Sequence, residues 1–332
     1  MALHALQDVD DAIEATRSFL FPPRIGRWLK LALVAFFVGG SGFPTAQFNA
    51  GSSIPGPSDP PSSTPPGDLP TSIPDDVLPF LVVGIALVIL VGIVLGVIGA
   101  TMEFVLIESL RQRRVVLREY LSDRWRQGLR LFGFRILIGL PVAVLFLGWV
   151  GLFIASLGGI IDPVIAFPTF LVGLAVLILL GILFAIVDTL TTVFVVPIMT
   201  MTDAGVLAAW RRLWASIRVA WKQYLAYLLV AGLLGIAAGL LGSIVTGVVA
   251  IGLLLPVAVL GAIVYATVTF ASTVGTVVLA LLVAVFLAAV FVVWLLVQAA
   301  IVTYLRYYAL LVLGDVEPSL DLIPDQRAAI RA

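Results

Sequence analysis

The sequence predicts an all-α fold, a polytopic helical bundle integral to a membrane. Three observations predict it. The 332 residues are 61% hydrophobic and 11% charged, with a mean hydropathy of +1.18, whereas soluble domains carry about 25% charged residues. A soluble core cannot hide that much apolar surface, so lipid must solvate most of it. Several apolar stretches also reach or exceed the roughly 20 residues that a transmembrane helix needs. Finally, all 19 lysines and arginines fall in four clusters, and none lies in 31–110, 136–210 or 223–305.

The candidate spans follow in order. The first, 25–43, is marginal and ends in Gly39-Gly40-Ser41-Gly42. The second, 77–110, exceeds the hydrocarbon thickness and must tilt or project. The third is 131–157 and the fourth 167–200. The chain is apolar again over 224–313, where 224–241 and 276–305 are read as spans five and six. Between them 242–275 carries Gly247, Gly252, Pro256 and Gly261. It is expected to form a re-entrant or interfacial helical pair on the outer side. The alternative is four spans in this region and eight in all.

Charge sets the expected orientation. The clusters are Arg17–Lys30, Arg111–Arg135, Arg211–Lys222 and Arg306–Arg331. Positive loops stay inside, so both termini and both basic loops (111–130 and 202–222) are expected in the cytoplasm of a cell whose plasma membrane holds the chain. Each stretch between clusters must leave and return, which gives an even count, six or eight. The expected organisation is an N-terminal amphipathic interfacial helix over 1–23, one transmembrane domain over 24–314 and a cytoplasmic tail over 315–332. The N-terminus is too acidic for a signal peptide, so the first hydrophobic helix is the expected insertion signal. Asp8 is positioned to cap the N-terminal helix, whose apolar residues include Val9, Ile13 and Leu20, and Pro22-Pro23 stops it.

The segment 46–76 is rich in Pro, Ser and Gly and carries Asp59, Asp68, Asp75 and Asp76 without a basic residue. It reads as a solvated external connector. The two basic inner loops resemble each other: Arg124-Trp-Arg-Gln-Gly-Leu-Arg130 and Arg212-Leu-Trp-Ala-Ser-Ile-Arg218 each place arginines six apart. This suggests a repeated unit of inbound span, basic inner helix and outbound span. In the second loop Trp210, Trp214, Ile217 and Trp221 share one helical face, while Arg211, Arg218 and Lys222 share another. Such a helix suits the headgroup layer. It either anchors the adjoining spans or binds anionic lipid, for which the candidate residues are Arg124, Arg130, Arg211, Arg212, Arg218 and Lys222.

Ionisable residues within spans are the other candidates, because lipid makes them expensive. Glu103 and Glu108 lie near the inner end of span two, where pairing with Arg111–Arg114 is expected. Asp188 lies deeper in span four beside Thr192. It is either a hydrogen-bonded packing residue, protonated or at a wet crevice, or part of a transport path. Gln298 is the polar counterpart in span six, expected to hydrogen-bond between helices. The stripes Gly92–Gly96–Gly99 and Gly232–Gly235–Gly239–Gly242 read as helix-packing surfaces.

Several function classes lack their signatures. There is no cysteine and His4 is the only histidine, which argues against thiol chemistry, a His-based metal site and a Ser-His-Asp triad. No nucleotide-loop, nucleophile-elbow or zincin motif is present. Equal numbers of basic and acidic residues, 19 each, give no reason to expect nucleic acid. The chain is therefore expected to be non-enzymatic and without cofactor. Membrane lipids are the expected partners, with self-association or other membrane proteins open.

The tail Thr303-Tyr-Leu-Arg-Tyr-Tyr-Ala-Leu-Leu-Val-Leu-Gly-Asp315 with Leu320-Asp-Leu-Ile-Pro324, together with Trp28-Leu-Lys-Leu-Ala-Leu, resembles an uncharacterised family of haloarchaeal multipass membrane proteins. More loosely, Val196-Pro-Ile-Met, Trp210-Arg-Arg-Leu-Trp and Trp221-Lys-Gln-Tyr resemble the membrane domain attached to some glycerophosphodiester phosphodiesterases. The phosphodiesterase domain itself is missing, so no catalytic residue carries over. These resemblances imply architecture and an archaeal plasma-membrane setting, and no activity. Two functional readings follow: a membrane-organising or lipid-interacting protein, or a small transporter or channel using Asp188.

Overall fold

A computed structural model describes residues 4–22, 24–40, 78–267 and 273–331. Among the described residues the chain is helical and has no strand. The helices are α1 (His4–Leu20), α2 (Ile25–Gly40), α3 (Leu78–Gln112), α4 (Leu117–Leu157), α5 (Pro163–Leu190), α6 (Val196–Thr202), α7 (Val206–Thr267), α8 (Thr273–Val316) and α9 (Pro324–Ile330). A π turn, Thr191–Val195, joins α5 to α6. The acidic connector read over 46–76 lies outside the described residues.

Five helices are long and apolar enough to cross a membrane: α3, α4, α5 continued through α6, α7 and α8. The chain is thus built as a multipass membrane protein. α2 has 16 residues, roughly 24 Å at 1.5 Å per residue, and falls short of the roughly 30 Å hydrocarbon core.

The region 242–275 differs from its expectation. Among its described residues it forms no separate helical pair. α7 runs unbroken through Gly242, Gly247, Gly252 and Pro256 to Thr267, and α8 starts at Thr273. Glycine and proline are tolerated here because the surrounding residues are apolar and the helical hydrogen bonds around them persist. From Trp221 to Thr267 the helix is roughly 70 Å long, more than twice the hydrocarbon thickness. The α7–α8 hairpin is therefore one long antiparallel pair, closed where Gly242 meets Ile301 and Val297 and where Gly261 meets Leu282.

The basic clusters gather at one end of the bundle, and so does the core. Buried residues concentrate in 100–110 of α3, 194–199 around the π turn and α6, 206–213 of α7 and 307–313 of α8, with Tyr307, Tyr308, Phe104 and Phe194 among the largest. Aromatic contacts bind this layer: Phe194 meets the edges of Tyr224 and Tyr227, and Tyr227 stacks on Tyr308. Toward the other end the helices separate. Residues 79–95 of α3 are exposed on every face. α4 and α5 stay paired there, with Trp149 stacked on Phe170 at 4.4 Å and donating to its carbonyl.

The two basic corners have the same form. α3 ends at Arg113 (φ 54°) and α6 ends at Asp203 (φ 48°), the two non-glycine residues with positive φ among the described residues. Each left-handed residue stops an apolar helix and precedes a basic one. In α7 that basic helix is bent away from the span at Ala220 (φ −118°, ψ 32°), and Ser216 and Tyr224 share a 2.9 Å hydrogen bond across the bend.

α1 departs from its expected cap. Asp8 is inside the helix rather than capping it, and it is fully buried. The buried stripe is Asp8, Ala12, Ala15 and Phe19, while Ile13 is exposed. This face docks on α8, with Phe19 set edge-on to Tyr307. Of the glycine stripes, Gly96 meets Phe132 and Gly242 meets α8, but Gly92, Gly232, Gly235 and Gly239 face open space. The close backbone approach falls instead at Gly128, against Thr101.

Candidate functional site

The polar residues of four helices converge where the core gives way to the separated apolar ends. Glu103 comes from α3, Arg135 from α4, Asp188 and Thr192 from α5 and its π turn, and Arg306 from α8. Glu103 is 2% exposed, Asp188 4% and Arg306 7%. Arg135 donates from Nε to Asp188 Oδ1 at 2.9 Å and from its terminal nitrogen to Glu103 Oε1 at 3.4 Å, and also reaches Thr192 Oγ1. Arg306 pairs with the other oxygen of Glu103 and donates to the Thr192 carbonyl. Two cations and two carboxylates make the network neutral. That balance is what a low-dielectric site requires, since a charge left unpaired there is strongly destabilising.

The backbone explains why Thr192 is at the centre. Within the π turn the Val196 amide donates to Thr191, five residues back. The next residue is Pro197, which has no N–H. The Thr192 carbonyl therefore has neither an α-type nor a π-type partner, and a buried carbonyl without a donor is costly. Arg306 supplies that donor. Beside it, Thr191 Oγ1 bonds the Val187 carbonyl at 2.6 Å and accepts from Trp210 Nε1 at 3.2 Å, which ties the π turn to the basic helix of α7.

Sequence reasoning anticipated part of this. Glu108 does lie against Arg111, at 3.8 Å, and also near Arg124 at 3.7 Å. Glu103 does not pair with Arg111–Arg114; it is held by Arg135 and Arg306. Asp188 is hydrogen-bonded and packed, but its partner is an arginine. Gln298 is half-buried on α8, eight residues before Arg306, and stands apart from this network. Arg135 and Arg306 fall in the basic clusters that set the expected orientation, and neither is among the intramembrane candidates. The overlooked signal was local: Arg135 stands within Leu131-Phe-Gly-Phe-Arg-Ile-Leu-Ile and Arg306 within Val302-Thr-Tyr-Leu-Arg-Tyr-Tyr-Ala-Leu, so both are intramembrane-type arginines.

The lipid-headgroup candidates divide. Arg124 is turned inward, bonding Asp203 at 2.7 Å beside Gln127, and so links α4 to the end of α6. Arg130, Arg211, Arg212, Arg218 and Lys222 are exposed. The aromatic face predicted for α7 also divides: Trp210 and Ile217 pack on the core, while Trp214 and Trp221 are half-exposed. Each exposed tryptophan of the basic helices has a cation over its ring, Arg126 on Trp125 at 5.6 Å, Arg218 on Trp214 at 5.7 Å and Lys222 on Trp221 at 5.8 Å. Among the described residues no group of His, Asp and Glu is placed to hold a metal ion.

No curated protein and no solved structure is similar to this chain. One family model covers nearly all of it, matching residues 3–323. The chain belongs to that family of unknown function, DUF7544.

Proposed function

We propose that this chain is a non-enzymatic membrane protein whose basic end binds anionic lipid headgroups and organises the surrounding inner leaflet. The reading rests on the three exposed tryptophan–cation pairs, Trp125/Arg126, Trp214/Arg218 and Trp221/Lys222. Tryptophan settles at the headgroup level, and each basic residue near an anionic surface adds about 1 kcal/mol of attraction. A ring and a cation on one helical turn present both contacts to one lipid. The reading includes α2 as a sixth, short crossing beside α8, both termini in the cytoplasm and the plasma membrane as host. An even number of crossings keeps every basic cluster on one side.

The test uses the full chain in nanodiscs of neutral lipid doped with brominated lipid, which quenches nearby tryptophan. Brominated anionic lipid should quench more than brominated neutral lipid at equal mole fraction. The triple substitution R211Q/R212Q/R218Q should shrink that difference. Equal quenching by both lipids, or no change on the triple substitution, sinks the reading.

A second reading, a small transporter or channel using Asp188, is favoured by one feature. The π turn begins three residues after Asp188, and such turns recur at functional sites. It requires Arg135 to release the Asp188 carboxylate. Because the chain has no cysteine, T192C supplies a unique thiol for labelling. Modification by a membrane-impermeant thiol reagent supports a water path; complete protection in the folded protein removes it.

A further inference from the structure

Both ends of the described chain meet at one buried junction of carboxylates. Asp8 of α1 is fully buried. Its Oδ1 accepts from Arg331 at 2.8 Å, and its Oδ2 has no hydrogen-bond donor. Arg331 also bonds Asp11 at 2.7 Å and Asp315 at 2.7 Å. Arg327 of α9 pairs with Asp315 at 2.6 Å and with Asp321. α9 itself is fastened to the core, since Gln326 donates to the backbone carbonyls of Leu110 and Arg111 at 3.1 and 2.9 Å. The fixed side of the junction is thus α8 with α9, and the attached side is α1.

The groups facing Asp8 are Asp11 on its own helix, Asp315 and the Tyr308 hydroxyl on α8, and Arg331 following α9 with Arg327 behind it. Four aspartates in the junction face two arginines, so not every carboxylate can hold a full cationic partner. Two carboxyls in contact with little solvent resist simultaneous ionisation. A neutral Asp8 resolves both defects at once. Its proton makes the orphaned oxygen a donor to Asp315, and it removes one negative charge from the cluster.

We propose that α1 is a proton-controlled latch: with Asp8 protonated it is held on α8 and α9, and with Asp8 ionised it lifts from them. Burial foremost, then the charge of Asp315, pushes the Asp8 carboxyl from 3.8 up to about 7, and Arg331 opposes them. A group whose value in the docked state lies above its free value adds stability at low pH and loses it as pH rises through the higher value. The hold is complete below about pH 4 and is lost as pH rises through about 7. Lifting α1 uncovers Tyr307 and Tyr308, the residues that follow Arg306 in the buried charge network.

Hydrogen exchange on the full chain in nanodiscs tests this. After correction for intrinsic rates, α1 amides should open at least about tenfold more often at pH 8 than at pH 5, a one-unit difference in proton binding being tenfold. Amides of 104–110 in α3 serve as the internal reference and should not change. D8N keeps a donor toward Asp315 and carries no charge, so it should hold α1 closed at both pH values. D315N removes the like charge and should reduce the pH dependence by a separate route, with the burial contribution remaining, so it carries the test if D8N does not fold. A wild-type α1 whose protection is the same at both pH values overturns the proposal, as does an undiminished pH dependence in both variants.

Discussion

Arg306 on α8 donates to the backbone carbonyl of Thr192, 114 residues earlier in the chain. That contact joins a side chain from the last long helix to a carbonyl that the π turn and Pro197 leave without an amide. The same guanidinium holds Glu103. One residue therefore closes both a backbone defect and a charge defect.

R306L should be among the most destabilising single changes in the protein. It leaves Glu103 with only Arg135 and strips the Thr192 carbonyl of its donor. Breaking a buried pair by deleting one partner costs roughly 3–5 kcal/mol. Unfolding in mixed micelles by a titrated denaturing detergent should register that loss. A loss below about 1 kcal/mol would mean that water reaches the site.

Pro197 and Arg306 should couple energetically. P197A restores an amide N–H that extends the π turn by one bond when it donates five residues back to the Thr192 carbonyl, in competition with Val193, and this background then needs the Arg306 donor less. In a double-mutant cycle R306L should cost about 1 kcal/mol less in P197A than in wild type, the net worth of one hydrogen bond.

Arg135 and Asp188 should behave as a compensating pair. R135M alone leaves Asp188 buried without its cation and should cost about 3–5 kcal/mol. R135M/D188L removes both charges together and should recover much of the loss, although Glu103 then keeps only Arg306. The same detergent titration measures both variants, and a double variant no better than R135M would refute the pairing.

Glycines in similar sequence settings should separate sharply. A Cβ at Gly128 would lie 2.8 Å from the Thr101 Cα, where backbone must move. G128A should cost about 1–3 kcal/mol by overpacking. Nothing lies near a Cβ at Gly232, so G232A should be neutral or slightly stabilising through helix propensity. Thermal unfolding in lipid nanodiscs distinguishes the two.

Glu108 shows how much of the site could be read along the chain. Arg111 is one helical turn away, and a helix brings residues three apart together whatever the fold, so that pairing was legible. Asp188 was legible as a residue that must be satisfied, because lipid makes a bare carboxylate expensive. Its partner was not legible, since Arg135 lies 53 positions away on another helix. Asp8 misled for a related reason. Its position before an apolar run suits a cap, yet the Ala12–Ala15–Phe19 face packed on α8 draws the helix over it and buries the carboxyl among distant charges.

Composition and hydropathy patterning set the helical class, the apolar helices long enough for a membrane and the gathering of the basic residues into four clusters. These follow from composition and from a fixed rise of 1.5 Å per residue, and need no knowledge of which helices touch. Packing in three dimensions sets that α7 and α8 run on as one long hairpin, that α1 docks on α8, and that Glu103 binds Arg135 and Arg306. A low-dielectric interior demands that each buried charge find an opposite one. It leaves open which one, and here the packing of α3, α4, α5 and α8 around the π turn makes the choice.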